Sequence, residues 1–244
     1  MIILRKGNPG DGADYARLQN EVFLIKPMGS DHIVEFYSEL LETEGRLNFV
    51  ISDEATGDYC GQCSVKDIRV EKPEIEIELL EKYQGRGIGF AALSRMMQMV
   101  SISENVPCFF ATVEPDNIAS QKLMYKLGGV PAGISRSGFL RGDQAEDFER
   151  EYLGLIDDKT IAIANMYNTN PQKLLSCELV IDISFPLKPP TFRADFAIDD
   201  SRKLGLARRN FSTVKFAAKA MEMLKNADES SFEEVKAEIE KMLI

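Results

Sequence analysis

Histidine and cysteine are scarce in this sequence of 244 residues, which has one histidine and four cysteines. Cys60 and Cys63 form a Cys-x-x-Cys pair, a spacing that raises the question of a metal or redox site. The pair lies in a predicted strand, where residues three apart point to opposite faces. The lone histidine, His32, is far from it in sequence. We therefore expect two half-buried strand residues, no metal site and, in a reduced cytoplasm, no disulfides.

Positive charge is also in short supply. The chain has 29 Lys and Arg against 39 Asp and Glu, a formal net charge of −10. Sequence-independent binding of nucleic acid needs a basic face, so no nucleic-acid partner is expected. The excess is uneven, because residues 1–156 hold 16 basic and 25 acidic residues whereas residues 157–244 hold 13 and 14. A cationic or amine-bearing partner therefore fits the first region best.

Long apolar runs are missing as well. No stretch approaches the roughly 18 apolar residues of a membrane span, so no membrane partner is expected. The start, Met-Ile-Ile-Leu-Arg-Lys, is too short an apolar run for a signal peptide. These absences together predict a cytoplasmic protein.

Hydrophobic periodicity predicts the element order β-α-α-β-β-β-α-β-α-β-β over residues 1–156. Residues 74–80 alternate most clearly, with apolar side chains on one face and glutamates on the other. The last two strands are predicted at 130–136 and 149–156. This order is neither a strict βα alternation nor a sandwich. It predicts an α/β (α+β) fold with a mixed, mostly antiparallel central sheet and helices on both faces.

A second, small α+β domain is predicted for residues 157–244. Its pattern begins with a helix that ends near residue 167. A hairpin with strands at 177–185 and 191–199 follows, and its turn is rich in proline. Two helices complete it, the first capped by Ser212 and the second begun by a capping box at Ser231. Nothing in this segment resembles a known family.

The sequence from Gln84 to Gly89 has the form of an anion site. A strand, a glycine-rich turn and a helix present unpaired N–H groups to a phosphate. A P-loop would need Gly-Lys-Ser/Thr, but Phe90 and Ala91 follow the last glycine. The dinucleotide fingerprint needs a different glycine spacing. A glycine turn with a merely structural role is the remaining alternative.

Two segments resemble motifs of the GNAT superfamily of N-acetyltransferases. Residues 81–89, Glu-Lys-Tyr-Gln-Gly-Arg-Gly-Ile-Gly, resemble its coenzyme A motif Q/R-x-x-G-x-G/A. Residues 113–129 resemble its next strand and helix, V-x-P-x-N-x-x-S followed by K-L-G. The two segments lie about 30 residues apart, as in the family. The resemblance covers residues 1–156 and leaves the C-terminal extension unassigned.

The resemblance implies acetyl-coenzyme A as the acyl donor. Backbone N–H groups of residues 84–89 would hold the pyrophosphate, and the end of the preceding strand would pair with the pantetheine arm. An N–H near Leu80 would polarise the thioester carbonyl. The full set of expected cofactor-binding residues is Leu79, Leu80, Glu81, Gln84, Gly85, Arg86, Gly87, Ile88, Gly89, Asn117 and Ser120.

The implied reaction is direct attack of a neutral amine on the thioester, with a base that takes a proton from the amine. Glu78 is the first candidate base, since it ends the glutamate face closest to the reactive slot. Glu114 is the second candidate. For Glu78, the alternative is a solvated strand face shared with Glu74 and Glu76. No covalent intermediate is required, so the absence of a Ser-His-Asp arrangement excludes nothing.

The expected general acid is less well matched. Many GNAT proteins carry a tyrosine seven residues after the asparagine of the second motif, where this chain has Met124. Tyr125 follows one step later, a rotation of about 100° on a helix. Tyr125 is the candidate acid, although this rotation can turn it elsewhere. The family's aromatic residue after Lys-Leu-Gly is replaced by Gly129.

Two functional interpretations follow. The first is an N-acetyltransferase that acts on a small-molecule or peptide amine, preferably a cationic one because the first region is acidic. The second is a catalytically silent acyl-CoA-binding or regulatory protein. Residues 157–244 would contribute to substrate choice or to formation of a homodimer.

Overall fold

The computed structural model describes residues 1–22, 30–140, 144–192, 203–226 and 231–243. The strands are β1 Ile2–Lys6, β2 Leu47–Asp53, β3 Tyr59–Val65, β4 Ile75–Leu79, β5 Cys108–Val113, β6 Val130–Arg136 and β7 Cys177–Ser184. The helices are α1 Gly12–Val22, α2 Ser30–Glu42, α3 Ile88–Glu104, α4 Ile118–Lys126, α5 Gln144–Glu151, α6 Asp158–Met166, α7 Pro171–Leu174, α8 Lys203–Asn226 and α9 Phe232–Leu243.

The strands form two antiparallel sheets that meet at one point. The first sheet has the order β1-β2-β3-β4 and the second has the order β5-β7-β6. A single parallel bridge joins them, between Glu74 and Phe110, and the Phe110 N–H donates to the Pro73 carbonyl at 3.1 Å. No other pairing connects β4 and β5 within the described residues, so the two strands separate beyond this bridge.

Helices cover the first sheet on both faces. α3 packs against β1, β3 and β4, while α1 packs against β3 and β4 from the other side. The buried side of α3 is apolar and consists of Ala92, Leu93, Met96, Met97 and Val100. These residues join one hydrophobic core with the inward residues of both sheets. The predicted mixed, mostly antiparallel sheet with helices on both faces is therefore confirmed.

The predicted strand at 149–156 is wrong. Residues 144–151 form α5, and Leu153–Leu155 form a short 3-10 helix. Ala145, Phe148 and Tyr152 recur at intervals of three and four residues, which is the period of a helix. The rings of Phe148 and Tyr152 stack at 4.3 Å.

The place expected for that strand is taken by β7, between β5 and β6. Its register pairs Val113 with Leu179 on one side and Ile134 with Leu179 on the other. The division predicted between residues 156 and 157 therefore cuts through the second sheet. Since β7 supplies its middle strand, residues 157–244 do not form a unit separate from this sheet.

Three further predictions for this segment have different outcomes. α9 begins at Phe232, as the capping box at Ser231 predicted. Ser212 does not cap a helix, because α8 begins at Lys203 and Ser212 lies within it. Most of the predicted strand at 191–199 lies outside the described residues. No helix in the described ranges combines the length and apolar character needed to span a membrane.

Because β7 is the central strand of the second sheet, shortening one of its inward side chains should destabilise the protein. Ile181 has no exposed surface, so Ile181→Ala should lower the free energy of unfolding by about 2–5 kcal/mol. Urea denaturation would measure this loss. Ile102 of α3 is 75% exposed, and the same change there should stay within about 0.5 kcal/mol. Equal losses in the two variants would contradict the central place of β7.

Candidate active site

The free edge of β4 faces the gap between the two sheets. The Leu80 N–H donates to the Cys60 carbonyl at 3.0 Å, and the Lys66 N–H donates to the Glu74 carbonyl at 2.9 Å. Backbone groups of the even-numbered residues therefore face β3. Because successive backbone groups alternate between the two edges of a strand, the N–H groups of Ile77 and Leu79 face β5. The Leu80 N–H expected to polarise a thioester is thus committed to Cys60, and the Leu79 N–H faces the gap instead.

Two glutamates of β4 lie on the face that α1 covers, and they have different partners. Glu76 forms ion pairs with Arg46 at 2.7 Å and Lys66 at 2.9 Å. Burial works to raise the pKa of Glu76, but the two cations outweigh it and leave the pKa below its ordinary value. Glu76 is therefore held as a charged carboxylate.

Glu78 has neutral partners. Its Oε2 accepts hydrogen bonds from Gln19 Nε2 at 2.6 Å and Gln62 Nε2 at 3.0 Å. Burial raises the pKa of Glu78, and the two amide donors offset this effect only in part. A carboxylate with a raised pKa is a stronger base than an exposed glutamate, which suits proton transfer near neutral pH. Of the two glutamates, Glu78 has the environment of a catalytic base.

Sequence reasoning missed both glutamines. Gln62 lies directly opposite Glu78 in the register of β3 and β4. Strand pairing would have identified it. Gln19 is buried on α1 beside Leu18, and a polar side chain on the inner face of a helix needs a hydrogen-bond partner. A glutamine on the apolar face of the predicted first helix was therefore the signal that could have identified Gln19.

The glycine turn lies at the end of the same strand. Gly85 and Gly87 have φ of 69° and 79°, in the left-handed region that glycine adopts without strain. A Cβ atom at either position would meet nothing within 4 Å, so the space above the turn is open. Gln84 Nε2 donates to the Leu79 carbonyl at 2.9 Å and fixes the turn to the strand edge.

The turn opens the N-terminus of α3. Gly87 is its N-cap residue and has no side chain with which to cap the helix. The first N–H groups of α3, starting at Ile88, are therefore directed at the open space, where an anion is favoured. Arg86 lies over the ring of Tyr83 at 5.7 Å and Lys82 lies over it at 4.7 Å. Two cations thus flank the turn.

Two of the predicted positions serve other contacts. Gly89 allows α3 and α4 to approach, since a Cβ there would lie 3.2 Å from Leu123 Cδ2. The Glu81 N–H donates to the Glu21 carboxylate. Gly89 is therefore needed for packing, and the Glu81 N–H has a partner on α1.

The second motif forms the loop between β5 and α4. Asn117 Oδ1 accepts from the Ser120 N–H at 3.2 Å and caps α4. Glu114 pairs with Arg208 of α8. Burial raises the pKa of Glu114 to about 7 although the Arg208 guanidinium favours the carboxylate. The Glu114 carboxylate is therefore paired with a cation of α8. Arg208 itself lies outside both sequence motifs.

Tyr125 points into the interior. Its hydroxyl lies 2.6 Å from the Tyr167 hydroxyl and 3.8 Å from Met166 Sδ. Burial raises the pKa of Tyr125. The structure thus joins Tyr125 to the end of α6, whereas Glu78 and the glycine turn lie together along β4.

Carboxylates continue across the same sheet face onto β7. Phe110 pairs with Asp182 and Thr112 with Val180, so even-numbered residues of β5 and β7 share a face. Asp182 forms an ion pair with Lys72 at 2.6 Å. Within the described part of the chain, neither Glu78 nor Glu178 has a cation as salt-bridge partner. This face therefore carries the carboxylates of Glu76, Glu78, Glu178 and Asp182.

The model of the acetyltransferase (GNAT) domain matches residues 2–130, more than half of the chain. The chain belongs to the GNAT acetyltransferase family. The assignment made from residues 81–89 and 113–129 is confirmed. No curated protein matches the sequence of this GNAT chain.

Solved structures with the same fold include a spermidine N-acetyltransferase from Vibrio cholerae in complex with CoA and spermine. Its TM-score is 0.54 at 16% identity, over 76% of this chain and 96% of that one. A dodecameric structure of that enzyme gives 0.53 at 16% identity, over 75% and 93%. A complex of the spermidine/spermine N-acetyltransferase with manganese ions gives 0.52 at 16% identity, over 75% and 92%. At this identity the likeness shows the shared fold.

The two glutamates of β4 should respond to pH in opposite ways. Glu78→Gln removes a carboxylate whose ionisation burial disfavours. It should raise the free energy of unfolding near neutral pH, and the gain should vanish below the ordinary glutamate pKa of 4.5. Glu76→Gln removes a favourable charge, so it should lower stability near neutral pH, and this loss should fade as pH falls. Urea denaturation across pH tests both signs, and a loss in both variants would contradict the assignment for Glu78.

Proposed function

We propose that this GNAT protein transfers an acetyl group from acetyl-coenzyme A to a primary amine. One observation carries the proposal. The edge of β4 leads directly into the open glycine turn, and Glu78 lies beside that edge, where its hydrogen-bond partners among the described residues are the neutral amides of Gln19 and Gln62. The ten residues from Glu78 to Gly87 therefore contain a candidate base, a strand edge that can pair with amides, and a turn that can bind an anion.

The donor would bind from the turn toward the gap. Residues 84–89, the turn and the start of α3, would bind the pyrophosphate through N–H groups beyond that of Gln84, which donates to the Glu81 carbonyl at 3.0 Å. Arg86 and Lys82 would lie beside it. The pantetheine amides would pair with the edge of β4 near Leu79. Asn117 and Ser120, at the start of α4, would border this arm from the β5 side. The relative solved with CoA supports this donor class.

The chemistry needs one base and one hydrogen-bond donor. The amine nitrogen attacks the thioester carbonyl, and the Leu79 N–H donates to the oxygen that gains negative charge. Glu78 takes the proton from the nitrogen. When the C–S bond breaks, that proton passes to the thiolate of coenzyme A. The products are an acetylated amine and a free thiol, and no proton is gained or lost.

The proposed mechanism does not require an acid from Tyr125, since its hydroxyl bonds to Tyr167 and burial raises its pKa. Glu114 is likewise bound to Arg208. Glu78 is therefore the residue on which we place both proton transfers.

The acceptor we propose is an amine with a second positive charge, of the polyamine type. Glu78 and Glu178, for which the described residues provide no salt-bridge partner, lie on the sheet face that continues from β4 to β7 and would attract a cationic amine. The relative with bound spermine supports this class, and the dodecameric relative supports self-association of this chain as well.

Gly87→Asp should weaken binding of acetyl-coenzyme A, because it places a carboxylate where the pyrophosphate is proposed to lie. Calorimetric titration should show micromolar binding to the native protein and at least about tenfold weaker binding to this variant. Gly87→Asn is the matched control. Asparagine has nearly the same shape and tolerates positive φ, so it should retain most of the affinity. Equal losses would show that backbone strain, and not charge, is responsible.

Glu78→Gln should lower kcat about 10²- to 10⁴-fold, the usual contribution of a general base. Turnover of acetyl-coenzyme A with spermidine would be followed by release of the free thiol. KM for acetyl-coenzyme A should change little. Glu76→Gln, two residues away on the same face, should keep most of its kcat at a pH where it is folded. No turnover by the native protein despite donor binding would favour the silent acyl-CoA-binding alternative.

A further inference from the structure

The loop between β5 and α4, residues 114–117, is held by a helix from outside the matched family region. The GNAT domain match ends at residue 130, whereas α8 begins at Lys203. Both acidic residues of the loop, Glu114 and Asp116, nevertheless bind α8. The loop therefore owes its position to a segment for which the family motifs give no role.

Asp116 caps the N-terminus of α8, although it lies far from that helix in sequence. Its Oδ2 accepts from the N–H groups of Leu204 at 2.7 Å and Gly205 at 3.3 Å. Asp116 is 1% exposed, so these bonds are shielded from water. They also place a negative charge at the positive end of a long helix. The start of α8 and the loop thus stabilise each other.

Arg208 makes the second connection, one helical turn later. Its side chain has no exposed surface. The guanidinium donates to the carbonyls of Leu174 at 2.9 Å, Leu175 at 2.6 Å and Cys177 at 2.8 Å, and it pairs with Glu114. A buried cation with this set of partners fixes α8 against β7 and the end of β5.

The next residue of the loop belongs to the proposed donor site. Asn117 follows Asp116 directly and caps α4 through Ser120. We propose that α8 supports the acetyl-coenzyme A site by holding the loop that carries Asn117. Asp116 and Arg208 are positioning residues, which fix where Asn117 and the start of α4 contact the pantetheine arm. This inference rests on the proposed function.

Amide hydrogen exchange provides the direct test, since two sites that stabilise one conformation must affect each other reciprocally. Saturating acetyl-coenzyme A should slow exchange of the Leu204 and Gly205 amides at least about threefold. Amides of α9 provide the internal control and should not change. Unchanged exchange at α8, with binding verified by calorimetry, would overturn the inference and leave the proposed function intact. Absence of binding would remove both.

A pair of cap variants separates positioning from stability. Asp116→Ala should weaken acetyl-coenzyme A binding about tenfold and raise its KM, with kcat for spermidine acetylation little changed. Asp157→Ala is the matched control, because Asp157 caps α6 through the Thr160 N–H at 2.7 Å and does not contact the loop. Both variants should lower the melting temperature, but only Asp116→Ala should weaken donor binding. Native affinity in Asp116→Ala would overturn the inference.

Discussion

Beyond the parallel bridge between Glu74 and Phe110, β4 and β5 part, and each leaves a backbone edge that no strand among the described residues pairs with. Unpaired N–H and C=O groups are costly inside a protein unless water or a ligand bonds to them. The bridge also fixes which edge is left open, because β4 is paired with β3 on its other side. The proposed donor site, the glycine turn beyond it and the placement of Glu78 all follow from this single divergence.

Two glutamates on β4 differ in their protonation chemistry because they have different neighbours. Glu76 faces Arg46 and Lys66, and its charge is compensated within the fold. Glu78 faces two glutamine amides, so its negative charge is solvated by dipoles and not cancelled. A neutral environment leaves the carboxylate able to accept a proton, whereas ion pairs would hold it charged.

Local patterns predicted the parts of the fold that depend on neighbours in sequence. The glycine turn, the alternation of β4 and the start of α9 were readable because each is decided within a few residues. The place of β7 was not, since Val113 and Leu179 pair across more than sixty residues. The burial of Arg208 was not readable for the same reason, because an arginine on a helix gives no sign that it will be buried against Glu114.

Of the strands in the described ranges, β7, the middle strand of the second sheet, is synthesised last. β5 and β6 are synthesised before β7, so the hydrogen bonds that each makes with β7 cannot all form until Ser184 has been added. The first sheet, β1 to β4, is complete well before that point. We therefore expect cotranslational folding of this chain to proceed in two stages, with the apolar faces of β5 and β6 exposed during the interval.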